Sequence, residues 1–123
     1  MQVELTNTEM ALLPYLTNEL YQKHHSVIAI HFPIKDTVGK RLVDNGLLTS
    51  EEYVEISNLP GYEAGSRLIC SLNRKGDDSM ETFYKVLVSA RGERDVDFIL
   101  KRLEAAAERN RKEVSQQKGL VVW

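Results

Sequence analysis

Nucleophilic catalysis needs a nucleophile with a base poised on it, and the chain offers Cys70 with His24, His25 and His31 for those parts. None sits in a supporting motif. Cys70 falls one position past the apolar pair Leu68-Ile69, away from any helix start or strained turn that would stabilise a thiolate, and is expected to be an ordinary helix cysteine. His24 and His31 are seven residues apart and can share a helix face, but without a nearby carboxylate or cysteine they make a poor metal site and are expected at the surface. A single cysteine excludes both an intrachain disulfide and a zinc site of paired cysteines, and it fits a reducing compartment. Gly61-Tyr62-Glu63-Ala64-Gly65 lacks the lysine and the preceding strand of a phosphate loop. No catalytic residue, metal or cofactor is therefore expected.

Binding is the remaining class. Leu42 to Ile56 with Gly46 in its turn has the outline of a helix-turn-helix, but its second helix carries Glu51, Glu52 and Glu55, which phosphates would repel. Nucleic acid is accordingly not the expected partner. The overall charge names no partner either, since 16 Lys and Arg against 18 Asp and Glu leave −2. The distribution along the chain is more informative. From Leu42 to Ala64 the charged residues are Asp44, Glu51, Glu52, Glu55 and Glu63, with no Lys or Arg; from Ala64 to Gly76 they are Arg67, Arg74 and Lys75, with no acid. Single-sign neighbours on successive helices predict two opposite patches, which can pair head to tail and, if the rotation does not close a ring, grow into an open filament.

The elements that must carry these residues are helical. The 123 residues, 42% of them hydrophobic, suit one domain with its own core. Gly46, Gly61, Gly76 and Gly92 recur at intervals of 15, 15 and 16, each long enough for one helix and a short connection. Met80, Phe83, Tyr84 and Leu87 repeat close to i, i+3, i+4, i+7, as do Val96, Ile99, Leu100 and Leu103. Gly65, Leu68, Ile69 and Leu72 form another such stripe, and Val38, Leu42 and Val43 a shorter one. Thr49-Ser50-Glu51-Glu52 is a capping box that starts a helix near residue 50, and Pro60-Gly61 ends it near Asn58.

Leu16, Leu20, Val27 and Ile28 suit a single first helix, opened or kinked at Pro14 and closed by Pro33. Val27 to Phe32 and Leu120 to Trp123 are the only strand-like runs, too short and isolated to build a sheet. Residues 104 to 118 turn polar and read as a helix running past the bundle or as a linker. The expectation is six helices and no sheet. No apolar run approaches the roughly 18 residues of a membrane span, and no signal-like sequence opens the chain, so the expected location is the cytoplasm.

Three stretches resemble a known family: Leu42-Val43-Asp44-Asn45-Gly46-Leu47-Leu48-Thr49-Ser50-Glu51-Glu52-Tyr53, then Arg67-Leu68-Ile69 to Leu72 with Lys75-Gly76, then Phe83-Tyr84-Lys85-Val86-Leu87. Together they are similar to the caspase recruitment domain, a branch of the death fold, over residues 10–105. The resemblance implies an all-α, six-helix antiparallel Greek-key bundle, often with a bent first helix, which suits Pro14 or the stretch around Ser26. Residues 1–9 then form an N-terminal extension and 106–123 a C-terminal helical extension or linker.

The resemblance also implies homotypic binding to other death-fold domains of a caspase, adaptor or sensor, in apoptotic or innate-immune signalling. It implies possible self-assembly and no enzymatic activity. Carried over by position, Arg67, Arg74, Lys75 and Lys23 make the basic face, and Asp44, Glu51, Glu52 and Glu55 the acidic one. Family members often place two basic residues ahead of the Leu-Ile pair, whereas here Ser66 precedes Arg67, which weakens the basic side. A monomeric decoy that blocks such assemblies has the same sequence features.

Overall fold

The computed structural model describes residues 4–35 and 37–121, with side chains described as far as Val114 apart from Asp77. The chain is all-α: among the described residues there are α1 (Asn7–Leu12), a 3-10 turn (Leu13–Tyr15), α2 (Asn18–Lys23), α3 (His25–His31), α4 (Thr37–Asp44), α5 (Ser50–Ser57), α6 (Gly61–Lys75), α7 (Asp77–Ser89) and α8 (Arg94–Val121), and no strand. Val27 to Phe32 is therefore mostly helix. Of the terminal run, Leu120 and Val121 continue α8, while Val122 and Trp123 lie outside the described residues.

Where six helices are expected the described residues hold eight, and the difference lies before Pro33. Pro14 sits in the first turn of the 3-10 segment, Thr17 caps a new helix by accepting from the Leu20 amide at 3.3 Å, and the chain bends again at His24 (φ −106°, ψ 19°). That second bend falls in the polar run Gln22 to His25, where no apolar side chain ties the turn to the core. Buried Tyr21 precedes it and buried Ile28 follows it.

Elsewhere local chemistry sets the boundaries. Thr49 Oγ1 accepts from the Glu52 amide at 3.0 Å while Glu52 Oε1 accepts from the Thr49 amide at 2.9 Å, so both halves of the capping box form. Thr6 and Glu9 make a second such box at the start of α1, at 3.1 and 2.8 Å. After α4 the backbone reverses through Gly46 at φ +76°, a left-handed conformation that a side chain would strain, and the Leu47 amide returns to the Leu42 carbonyl at 2.9 Å.

The apolar stripes converge on one core. Met80, Phe83, Tyr84 and Leu87 of α7 and Val96, Ile99, Leu100 and Leu103 of α8 are all fully buried, as are Leu68, Ile69 and Leu72 of α6. Phe83 packs against Tyr21 and Phe32 with ring centroids 5.8 and 5.4 Å apart, a spacing suited to tilted aromatic pairs. The Tyr21 hydroxyl donates to the Met80 carbonyl at 3.3 Å, which satisfies a polar atom that burial would otherwise strand.

α3 crosses α6 at close range. Gly65 lies against Ala29 so closely that a Cβ there would come within 2.5 Å of the Ala29 carbonyl oxygen. A glycine in mid-helix costs about 1 kcal/mol in propensity, so its packing role is what this position gains. Packing also crosses both edges expected for the core: Glu9 of α1 is buried, and α8 keeps Ala106 and Ala107 buried beyond residue 105.

Candidate functional site

The expected acidic and basic faces meet each other. Arg67 Nη1 on α6 stands 3.5 Å from Glu55 Oε1 on α5, and Lys75 Nζ stands 3.3 Å from Glu52 Oε1 while also donating to the Leu47 carbonyl. Ser71 Oγ donates to Glu52 Oε2 at 3.5 Å, and Arg74 lines the same α5–α6 groove. The Glu52 carboxyl is held below the usual carboxylate range, first by the Thr49 amide and then, against a burial penalty, by Lys75. The two patches expected to oppose each other are thus, for Glu52, Glu55, Arg67 and Lys75, one neutralised seam. The cause is chain connectivity: α5 and α6 are separated only by residues 58–60 and pack together, so an acidic helix followed by a basic one closes its charges internally.

Four expected residues lie outside the seam. Asp44 and Glu51 are exposed and enter no ion pair among the described residues, and Arg74 is likewise exposed without one. Lys23 pairs with Glu19 one helical turn away, at 3.5 Å, in an arrangement too exposed to fix either side chain. Beside Glu51, Val54 is 56% exposed, and Ser50, Glu51, Val54 and Glu55 line a shallow hollow of about 400 Å³. The α4–α5 corner therefore combines open carboxylates with an apolar floor.

A second charged surface has no counterpart in the sequence reading. On α8, Phe98 is 39% exposed and the Arg102 guanidinium lies over its ring at 5.2 Å, a cation–π arrangement. The His31 ring also packs on Phe98, with ring centroids 4.5 Å apart, and its Nδ1 lies 3.5 Å from Asp95 Oδ1. Further along, a groove of about 560 Å³ between α2 and α8 brings Arg109 to Lys23 and His24, with Glu19 and Glu113 also in its wall. Burial, then the charges of Arg109, Arg102 and Lys23, hold the His24 pKa below its ordinary value. This surface was hidden because it joins residues far apart in the chain, such as His31 with Phe98 and Lys23 with Arg109. The helical period was the available signal: 95, 98, 102 and 109 share one side of α8, whereas Glu104 and Glu108, which make the sequence look mixed, turn to another.

Those carboxylates have structural work. Arg91 Nη2 donates to Glu9 Oε2 and to Glu104 Oε2, each at 2.8 Å, and the Tyr84 hydroxyl donates to Glu104 Oε2 at 2.6 Å. Burial opposes the Glu9 charge, but the Thr6 amide and hydroxyl and the Arg91 guanidinium outweigh it and hold the carboxyl below its usual range. Burial and the Glu104 carboxylate push the Tyr84 phenol upward, so it stays a donor. The clamp fastens α1 to α7 and α8. Glu108 pairs with Arg111 at 2.5 Å.

The residues considered for catalysis are dispersed. His25 Nε2 lies 3.0 Å from Ser66 Oγ, His24 faces the α8 groove and His31 faces Phe98. Cys70 is exposed and shares no hydrogen bond with a histidine among the described residues. Among the described residues no group of three or more His, Cys, Asp or Glu is placed to hold a metal ion, and no helix is long and apolar enough to cross a membrane. No family model matches the chain, and neither a curated protein nor a solved structure matches it.

Proposed function

We propose that this chain is a caspase-recruitment-like interaction module that binds other death-fold domains, including further copies of itself, through charged surfaces, in cytoplasmic apoptotic or innate-immune signalling. In this reading α4 to α8 are helices two to six of an antiparallel Greek-key bundle, and the broken run α1 to α3 stands in place of a bent first helix. It assigns no catalysis and no cofactor. The observation that carries it is that Asp44 at the end of α4 and Glu51, beside the exposed Val54 on α5, stay open to solvent while Glu52 and Glu55 are paired. These are the two helices on which the resemblance puts an acidic docking face.

Light scattering of the purified chain across concentration, with and without an added death-fold domain, tests it. The expected result is association that Asp44→Lys with Glu51→Lys removes while the helical circular dichroism stays intact. Association unchanged by those substitutions overturns the reading. The pairing of Arg67 and Lys75 inside the molecule favours a second version, a monomeric decoy, because it subtracts from the implied basic face. A chain that stays monomeric yet shortens the filaments of a relative is that decoy.

A further inference from the structure

We propose that the surface of α8 and α3 around Phe98, Arg102 and Arg109 is the docking site for the acidic α4–α5 corner of a second copy of this chain. This rests on the homotypic reading above and replaces its basic side, moving it from α6 to α8.

Charge complementarity selects the occupant. Arg102 and Arg109 enter no ion pair among the described residues; of the carboxylates on the same surface Glu19 pairs with Lys23 and Asp95 lies 3.5 Å from the His31 ring, which leaves Glu113. On α6, by contrast, Arg67 and Lys75 pair with α5, and the unpaired Arg74 lines the same groove as Glu52 and Glu55. On the acidic side, Asp44 and Glu51 are exposed carboxylates of α4 and α5 that enter no ion pair among the described residues. Each surface also carries apolar area where a contact needs a dry centre. Phe98 is 39% exposed, with the His31 ring packed on it. Val54 floors the hollow beside Glu51. An aromatic edge with an arginine above it is the composition that anchors protein contacts, and a shallow apolar hollow rimmed by carboxylates is its complement.

Placement in the fold allows both surfaces to be used at once. α5 packs on α4 and α6, whereas α8 packs on α1, α2, α3 and α7. One copy can present its corner to a neighbour while its own α8 receives another, which is a heterologous contact that propagates unless its rotation closes.

The test is a charge-reversal exchange on the full chain, read by sedimentation velocity and light scattering, with circular dichroism to verify folding. Arg102→Glu with Arg109→Glu is expected to raise the concentration needed for association by about tenfold or more. Asp44→Lys with Glu51→Lys is expected to do the same. An equimolar mixture of the two variants is expected to recover association, because each reversed surface then finds a reversed complement. Loss from the corner variant with none from the α8 variant overturns this placement and leaves the homotypic reading standing. Indifference to both variants, a monomeric wild-type chain, or a mixture that recovers nothing also overturns it.

Discussion

Arg67 Nη1 lies 3.5 Å from Glu55 Oε1, and this contact joins the basic helix α6 to the acidic helix α5 inside one molecule. Both side chains are more than half exposed, at 57% and 67%, so the pair is screened by water and contributes about 0 to 1 kcal/mol. Arg67→Glu sets a second carboxylate beside Glu55 and is expected to lower unfolding stability by no more than about 1 kcal/mol. Urea denaturation measures it. Because Arg67 is already engaged, the same substitution is expected to disturb association less than Arg102→Glu with Arg109→Glu.

Gly65 makes the opposite case, a small change at a rigid place. A methyl group added there meets backbone atoms of Ala29, which cannot rotate away as a side chain would. Gly65→Ala is therefore expected to cost about 1 to 3 kcal/mol despite the better helix propensity of alanine. Gly61→Ala, with nothing within 4 Å of the new Cβ, is expected to leave stability within about 0.5 kcal/mol. Equal urea midpoints for the two variants would refute the close α3–α6 crossing.

These two positions also show what the sequence makes legible. The stripes of α6, α7 and α8 follow the helical period, so their burial could be read directly, and Thr49-x-x-Glu52 marked a helix start because its bonds are local. Thr6-x-x-Glu9 is the same motif and equally readable, although it lies within the expected extension of residues 1–9. The bend at His24 has no such signature, since it reflects where a polar run loses the core. Charge was the least legible. Segregation along the chain is not segregation over the surface, because consecutive helices pack together and cancel, while Lys23 and Arg109 meet only through the tertiary fold.

The Glu9–Arg91–Glu104 clamp gives an acid-side dependence. The Glu9 carboxyl has a folded pKa below its unfolded value near 4.5, so the folded state holds the charged form more firmly. Its contribution is present in full above that value and is lost as pH falls through the lower, folded one. Glu9→Gln is expected to flatten the loss of stability in this acidic window. Arg91→Ala, which leaves Glu9 and Glu104 without their shared donor, is expected to cost about 1 to 3 kcal/mol near neutrality. Thermal unfolding followed across pH checks both, and identical acid limbs for wild type and Glu9→Gln would show that the clamp does not form.

His24 reports on the basic surface independently of any assembly. Burial and the charges of Arg109, Arg102 and Lys23 disfavour its protonated form, while Glu19 and Glu113 in the same groove wall are not enough to reverse that. A histidine whose folded pKa is depressed contributes stability above its unfolded value near 6.5, and that contribution is lost as pH falls through the folded pKa. His24→Gln is expected to remove this part of the pH dependence. In a proton magnetic resonance titration of the monomer, the His24 ring is expected to protonate below pH 6.5. Arg109→Ala is expected to move its midpoint upward, and Lys23→Ala by less, since Arg109 is the stronger of the two influences. A midpoint indifferent to Arg109 would mean that α2 and α8 do not bring their cations together, and the docking surface on α8 would lose its positive field.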